Sequence, residues 1–449
     1  MSKLSKFLRD LFWNLNTSEI EYCVVGKTFS KFDINTNSDI DIITTEEDLI
    51  KFINIIKNLT QDQDIFLLNF ISYGFKSFYI IISDRRNKEN LLHKIDVCSE
   101  YRINKRSFAL LSSEILLSNK IKKEVDSSFV YFAEYANNFL YYILKKSSKK
   151  SLSESDFEFF KYIYFLDPEK VIKKLSFCIN NKNIILITRY LSKNNFELFF
   201  NLICENKLFN LKISNKKKLI FIKDEIKRLV FRIKNPTGKI IAILGPDGSG
   251  KSTIIKELSK SLKDLGRKQR VLHFWPNRVI NNKKKYAQVL NPHSKKSYKY
   301  MISFLKLSYI VIRYNINWLT SIYFRYISST IFFFDRYFID LYADPKRYRV
   351  NLSLNWIKIA YKFIIKPDII IILDVAPKIL KSRKKEVSMQ ESLQQYKKYR
   401  EIKKLHENIF IVNGNKNTFE VLSDCEDVIC QTFSEKMKKV FFNFYRNNV

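Results

Sequence analysis

Two patterns alternate along the back half of the chain: short, almost wholly apolar runs, and longer stretches in which apolar residues return every third or fourth position. The runs fall at Lys239–Leu244, 271–275, 331–334, 369–373 and 409–412. Strands covered on both faces read this way, and the stretches between them read as crossover helices, so the pattern predicts an α/β domain with a doubly wound parallel sheet. After the first run, Ile254, Ile255, Leu258, Leu262 and Leu265 recur at helical spacing until Gly266 ends the helix. The front half differs. It predicts a strand at 21–26, a helix at Glu46–Leu59, and strands at 75–82 and 94–97, a smaller α/β set. From 138 to 231 only helical periodicity appears, with a Lys/Ser-rich break at 145–155 and an Asp167-Pro168 helix start, as expected of a helical connector. Leu4, Phe7, Leu8, Leu11 and Phe12 make the stripe of a docked N-terminal helix. The segment 298–342 is densely aromatic and aliphatic, yet Lys306, Arg313 and Arg325 interrupt it before any run reaches the ~18 residues of a membrane span. Buried helix is expected there, with contact at a membrane surface as the alternative.

Composition then sets the scale. At 449 residues the chain exceeds what one core serves, and seven of its eight prolines lie at or after Pro236. A boundary at 234–238 gives three expected parts: 1–137, 138–235 and 236–449. The six cysteines form no CxxC pair and no metal-ligand spacing with the four histidines, so neither a disulfide framework nor a zinc site is expected, and a reducing cytoplasm is. His93, His273, His293 and His406 stand apart from one another, and residue order supports no Ser/His/Asp triad. A net charge of +34 would attract polyanions, but the lysines are spread along the chain rather than gathered in a block. It supports an anionic partner weakly, and nucleic acid is not favoured.

The chemistry sits where the first strand ends. Residues 245–253, GPDGSGKST, fit G-x-x-x-x-G-K-[ST] in full. In such a loop Gly245, Gly248 and Gly250 let backbone amides converge on phosphate oxygens, with Asp247 and Ser249 between them. Lys251 supplies a charge, Ser252 a hydroxyl for Mg²⁺, and Thr253 opens a helix whose positive end faces the phosphates. ATP and Mg²⁺ are therefore expected. Asp335 ends an apolar strand as a second Mg²⁺ ligand, and the planar fork of Arg336 beside it suits a phosphate held for attack. Asp374 also ends a strand, although helix capping explains it as well as chemistry does. Past Lys378 a basic helix containing Arg383 could close as a lid, or could simply be a solvated face.

Those residues resemble the thymidylate kinase-like branch of P-loop nucleoside monophosphate kinases over about 238–431. The resemblance implies that Asp247 reaches an acceptor hydroxyl, Arg336 binds the acceptor phosphate and Arg383 assists transfer. It also implies that Asn413-Gly414-Asn415 leads into an adenine-contacting loop. The stretch 335–348 is longer and more charged than a thymidylate kinase needs, and so resembles divergent kinase-like proteins of bacterial surface-polysaccharide systems. There the acceptor would be a sugar or lipid-linked phosphate.

Near the N-terminus a strand ends at Gly26, and Ser38-Asp39-Ile-Asp41 follows. Aspartates two apart on a strand share a face, where two carboxylates can hold divalent ions around a triphosphate, and Asp96 on a neighbouring strand would be a third ligand. This resembles the nucleotidyltransferase fold, although Lys27 stands where that family carries a small residue. Together the readings predict an ATP-dependent phosphotransferase acting on a phosphorylated small molecule or glycan. A nucleic-acid end-processing enzyme and a non-catalytic, nucleotide-binding scaffold at a membrane surface are the competing readings.

Overall fold

The computed structural model describes residues 4–27, 39–74, 76–86, 91–102, 110–126, 128–204, 208, 215–276, 296–383 and 389–446. The chain divides into two compact units, Met1–Phe231 with Met437–Val449, and Arg232–Lys436.

The N-terminal unit is built on β1 (Tyr22–Val25), β2 (Ile40–Thr44), β3 (Ile65–Gly74), β4 (Ser77–Asp84), β5 (Leu91–Cys98), β8 (Ile121–Val125) and β9 (Ser128–Phe132). Between β5 and β8, β6 (Glu100–Arg102) and β7 (Leu110–Ser112) form a separate ribbon. The seven strands run in the order β3-β4-β5-β2-β1-β9-β8 as a mixed sheet. The central strand β2 runs parallel to β5, with Asp41 directly opposite Asp96, and antiparallel to β1. The helix Glu46–Leu59 has its expected bounds, capped by the Thr45 side chain on the Asp48 amide. The strand expected at 75–82 is the second arm of a long hairpin, β3–β4. Helix Lys6–Thr17 buries Phe7, Leu8, Leu11, Phe12 and Leu15, and a helical layer of Tyr135–Lys149, Glu154–Leu166, Pro168–Leu175, Asn181–Ser192 and Phe196–Cys204 completes the core. The side chain of Asp167 caps the helix that Pro168 opens.

The second unit is an α/β layer around β10 (Lys239–Leu244), β11 (Lys268–His273), β12 (Thr330–Asp335), β13 (Ile369–Asp374) and β14 (Ile409–Asn413). All five are parallel, in the order β11-β12-β10-β13-β14. This is the predicted doubly wound sheet, with each strand within three residues of its expected start. β11 begins earlier and ends earlier than its apolar run suggests, because Phe274 turns into the left-handed region (φ 51°) and takes Trp275 off the strand. The order reverses at β10, whose carboxyl end is the place where such sheets take ligands. The aromatic segment does form helix, at Tyr300–Asn317, Trp318–Tyr323 and Phe324–Ile327, but only one of its faces is buried.

Candidate active site

The turn after β10 leaves the sheet through Gly245, whose φ of +146° suits glycine. A Cβ there would lie 2.8 Å from Ser249 Oγ and 3.0 Å from the Leu373 carbonyl oxygen, so the loop closes only without a side chain. Helix Lys251–Ser261 follows directly. Lys251 is buried, its Nζ donating to the carbonyls of Gly245 (2.9 Å) and Pro246 (2.7 Å). Burial, followed by the nearby Arg336, pulls its ammonium down to about 8.

Ser252 and Thr253 are exposed in the first helical turn, and Ser252 Oγ donates to Asp335 Oδ2 at 3.2 Å. The other oxygen, Asp335 Oδ1, is buried with no hydrogen-bond partner, as is Ser249 Oγ. A serine hydroxyl against a carboxylate with one oxygen left open is a hard-oxygen donor set that fits Mg²⁺. An orphaned buried carboxylate oxygen is otherwise costly.

Arg336, expected to bind the acceptor phosphate, stands among the acids of the site. Its backbone is held left-handed (φ 71°) while its amide donates to Ile243 O at 3.1 Å. Its guanidinium bridges two carboxylates: Nη1 donates to Asp340 Oδ2 at 2.6 Å, and Nη2 pairs with Asp247 Oδ1. With 3% of its side chain exposed, the fork pairs here with two of the site's own acids. Asp247 is gripped a second time by Arg347 Nη1, from a side chain 21% exposed. Burial alone would raise the Asp247 carboxyl, but Arg336, Lys251 and Arg347 hold it well below the usual range. Asp340 is fully buried and also accepts from Tyr399 OH (2.6 Å) and Tyr348 OH (2.8 Å). Tyr399 OH in turn lies 3.1 Å from the Gly245 carbonyl, which ties this network to the phosphate loop.

Sequence reasoning missed Asp340, Arg347 and Tyr399 as site residues. The i,i+4 spacing of Arg336 and Asp340 was the available signal, and the charge density of 335–348, read only as a departure, was the other. Elsewhere on this edge, Asp374 pairs with Arg400 (2.7 Å), and its carbonyl accepts from Gly414 N (2.9 Å). Asn415 Oδ1 accepts from Ala376 N at 2.9 Å, which pins the 413–415 loop beside β13. Arg383 ends the helix Pro377–Arg383, but its side chain lies outside the described residues, as do residues 384–388 and 277–295.

In the N-terminal unit, Asn138 clamps Gly26, accepting from its amide (2.7 Å) and donating to its carbonyl (3.0 Å). Gly26 has φ +98°, and a Cβ on it would lie 3.2 Å from Asp41 Oδ2. The acids gather here as ion pairs. Asp41 pairs with Lys145 of helix Tyr135–Lys149, a residue the sequence placed only in a chain break. Asp39 stands one residue ahead of β2, exposed, with Tyr79 OH donating to it (3.1 Å) and Lys94 Nζ 3.4 Å away. Burial and then Asp41 raise the Asp96 carboxyl, with Lys145 opposing. Lys27 is turned to Ser155 (2.6 Å) and Asp156 (3.9 Å). Among the described residues no group of three or more His, Cys, Asp or Glu side chains is arranged to hold a metal ion. Of the three acids expected to hold divalent ions, Asp41 and Asp96 face each other across β2 and β5, and the Lys145 ammonium pairs with Asp41.

With that geometry in view, the comparisons with known proteins bear on the second unit. Residues 243–425 match the thymidylate kinase family. Among solved structures the chain is similar to thymidylate kinase from Ehrlichia chaffeensis, at 16% identity and TM-score 0.31 over 43% of this chain and 100% of that one. It is also similar to thymidylate kinase from Candida albicans, at 18% identity and TM-score 0.31 over 43% and 92%. No curated protein matches the chain. The family match supports a nucleotide kinase-type phosphotransferase for that stretch, in a family that uses ATP and Mg²⁺.

Proposed function

We propose that the second unit transfers the γ-phosphate of ATP to a phosphorylated acceptor, either dTMP or a sugar or lipid-linked phosphate. One observation carries this reading: the phosphate loop, Lys251, and the Ser252–Asp335 pair with its open oxygen meet at the carboxyl end of the central strands. Backbone amides of 247–252 would cradle the phosphates, and Lys251 would leave the two loop carbonyls to meet them. Ser252 and Asp335 would hold Mg²⁺, which supplies charge neutralisation on the transferring phosphoryl group. Asp247, kept ionised by Arg336 and Arg347, is suited to accept from an acceptor hydroxyl, while Arg347 presents positive charge to an acceptor anion. In-line transfer needs no covalent intermediate. For the N-terminal unit we propose a nucleotidyltransferase-like fold that binds nucleotide rather than transferring it, in keeping with the ammonium on Asp41.

The test is ATP consumption by the full chain against nucleoside monophosphates and sugar phosphates. One acceptor class should stimulate turnover. Stimulation by none of them, or complete loss of turnover in Asp41→Ala alone, would refute the assignment.

The Lys251 ammonium adds a pH prediction. ATP binding needs the proton that the buried site lowers to about 8, so affinity should fall about tenfold per pH unit above that value until the bound form also titrates. In the free protein the sign is opposite: the charged, buried ammonium costs stability below pH 8, and the cost fades as pH rises from there towards the ordinary lysine range. Calorimetric titration of a non-hydrolysable ATP analogue from pH 7 to 9.5 measures the first effect. Lys251→Arg, always protonated, should flatten it.

A further inference from the structure

The helical segment that precedes β12 is apolar on two opposite faces. Ser303, Leu307, Ile310, Tyr314, Trp318 and Ile322 turn into the core of the second unit. Opposite them Met301, Leu305, Tyr309, Ile312, Ile316 and Leu319 form a stripe at helical spacing, each 54–69% exposed. A helix apolar on both faces is expected where the second face also has a cover.

The stripe does not stop at one helix. Trp356, Ile359 and Phe363, on or beside helix Leu354–Lys362, are exposed as well. Trp356 Nε1 donates to Tyr300 OH (3.0 Å), its ring meets Phe304 edge-on (5.2 Å), and Asn315 Nδ2 donates to Phe363 O (3.1 Å). The two helices therefore present one continuous patch.

Its charge says what covers it. Lys296, Lys299, Arg313, Arg325 and Lys362 are exposed on these elements, and no Asp or Glu occurs from 296 to 334 or from 345 to 367. We propose that this face docks on an anionic lipid bilayer, its apolar stripe entering the headgroup–acyl boundary and its cations meeting the lipid phosphates. Tyr300, Tyr309 and Trp356 have the amphipathic rings that settle at that depth. A second copy of the chain is the poorer occupant, because pairing two such faces sets cations against cations with no acid between them. The segment lies on the membrane and does not cross it: no described helix is long and apolar enough to span one. The inference stands whether or not the phosphotransferase reading does.

The test is flotation of the full chain with vesicles of phosphatidylcholine containing roughly a third phosphatidylglycerol, against phosphatidylcholine alone. The protein should float with the anionic vesicles only. The triple variant Leu305→Ser, Ile312→Ser, Ile316→Ser keeps the net charge, and its bound fraction should drop about tenfold or more. Brominated lipid should quench Trp356 in the unaltered protein, and Trp356→Phe should abolish that component; this readout needs no destabilising change. If the triple variant floats as well as wild type, the attraction is only the diffuse charge of the chain and the proposal fails. It fails equally if Trp356 is not quenched, or if the protein sediments as a dimer without floating and the variant as a monomer.

Discussion

Lys251→Ala should lower ATP turnover by at least about a hundredfold, the scale seen when one preorganised charge is removed from a site where negative charge develops. The side chain is positioned for this by its surroundings. Its Nζ is held between the Gly245 and Pro246 carbonyls, 4.0 Å from Asp247, on a buried side chain. The loss should fall on ATP affinity as well as on kcat, since the ammonium meets the phosphates in the ground state and in the transition state, while the loop amides keep some binding. Lys251→Arg separates charge from geometry: it keeps the cation but cannot fit the pocket between two carbonyls, and should recover binding more than rate. Steady-state kinetics of both variants, with melting curves to confirm folding, decide it. Turnover unchanged in Lys251→Ala would mean that the phosphate loop is not where the chemistry occurs.

How much of this was legible in the sequence follows from what each signal depends on. The five parallel strands were readable because burial on both faces writes an unbroken apolar run, and the phosphate loop because glycine and lysine positions there answer a local backbone need. Both signals are local. The commitments of Arg336, Asp247 and Asp41 depend instead on partners 89, 100 and 104 residues away, which no spacing rule reports. Asp335 was found from its strand, yet its open oxygen is a property of packing. The β3–β4 hairpin was half seen, because Asn69 and Ser72 interrupt the first arm while both are buried in the sheet. The segment 298–342 misled in a different way. Apolar content alone says that a face must be covered but not by what, and only the structure separates the stripe that meets the core from the one that does not.

Asp340→Ala should destabilise the second unit by roughly 3 kcal/mol, because it leaves a buried guanidinium with Asp247 as its one anion and half of its fork unpaired. Arg336 cannot escape to solvent: its side chain is 3% exposed and its backbone is already in a left-handed conformation that a non-glycine residue holds only when its surroundings enforce it. Tyr348 would lose its acceptor at the same time, and Tyr399 would be left with the Gly245 carbonyl alone. The carboxyl is held low in the folded state, since burial would raise it but Arg336 and the two hydroxyls overcome that. A depressed acid contributes stability above its unfolded value near pH 4 that is lost as pH falls through the folded one, so Asp340→Asn should flatten the acid limb of the stability profile. Removing both charges, as Arg336→Met with Asp340→Leu, should recover part of the lost stability, because no buried guanidinium is then left half-paired, while Tyr348 OH still lacks its acceptor. Urea unfolding of the single and double variants separates the possibilities. If Asp340→Ala stays within about 1 kcal/mol of wild type, Asp247 alone satisfies the guanidinium, and Asp340 is not the anchor that holds Arg336 in place.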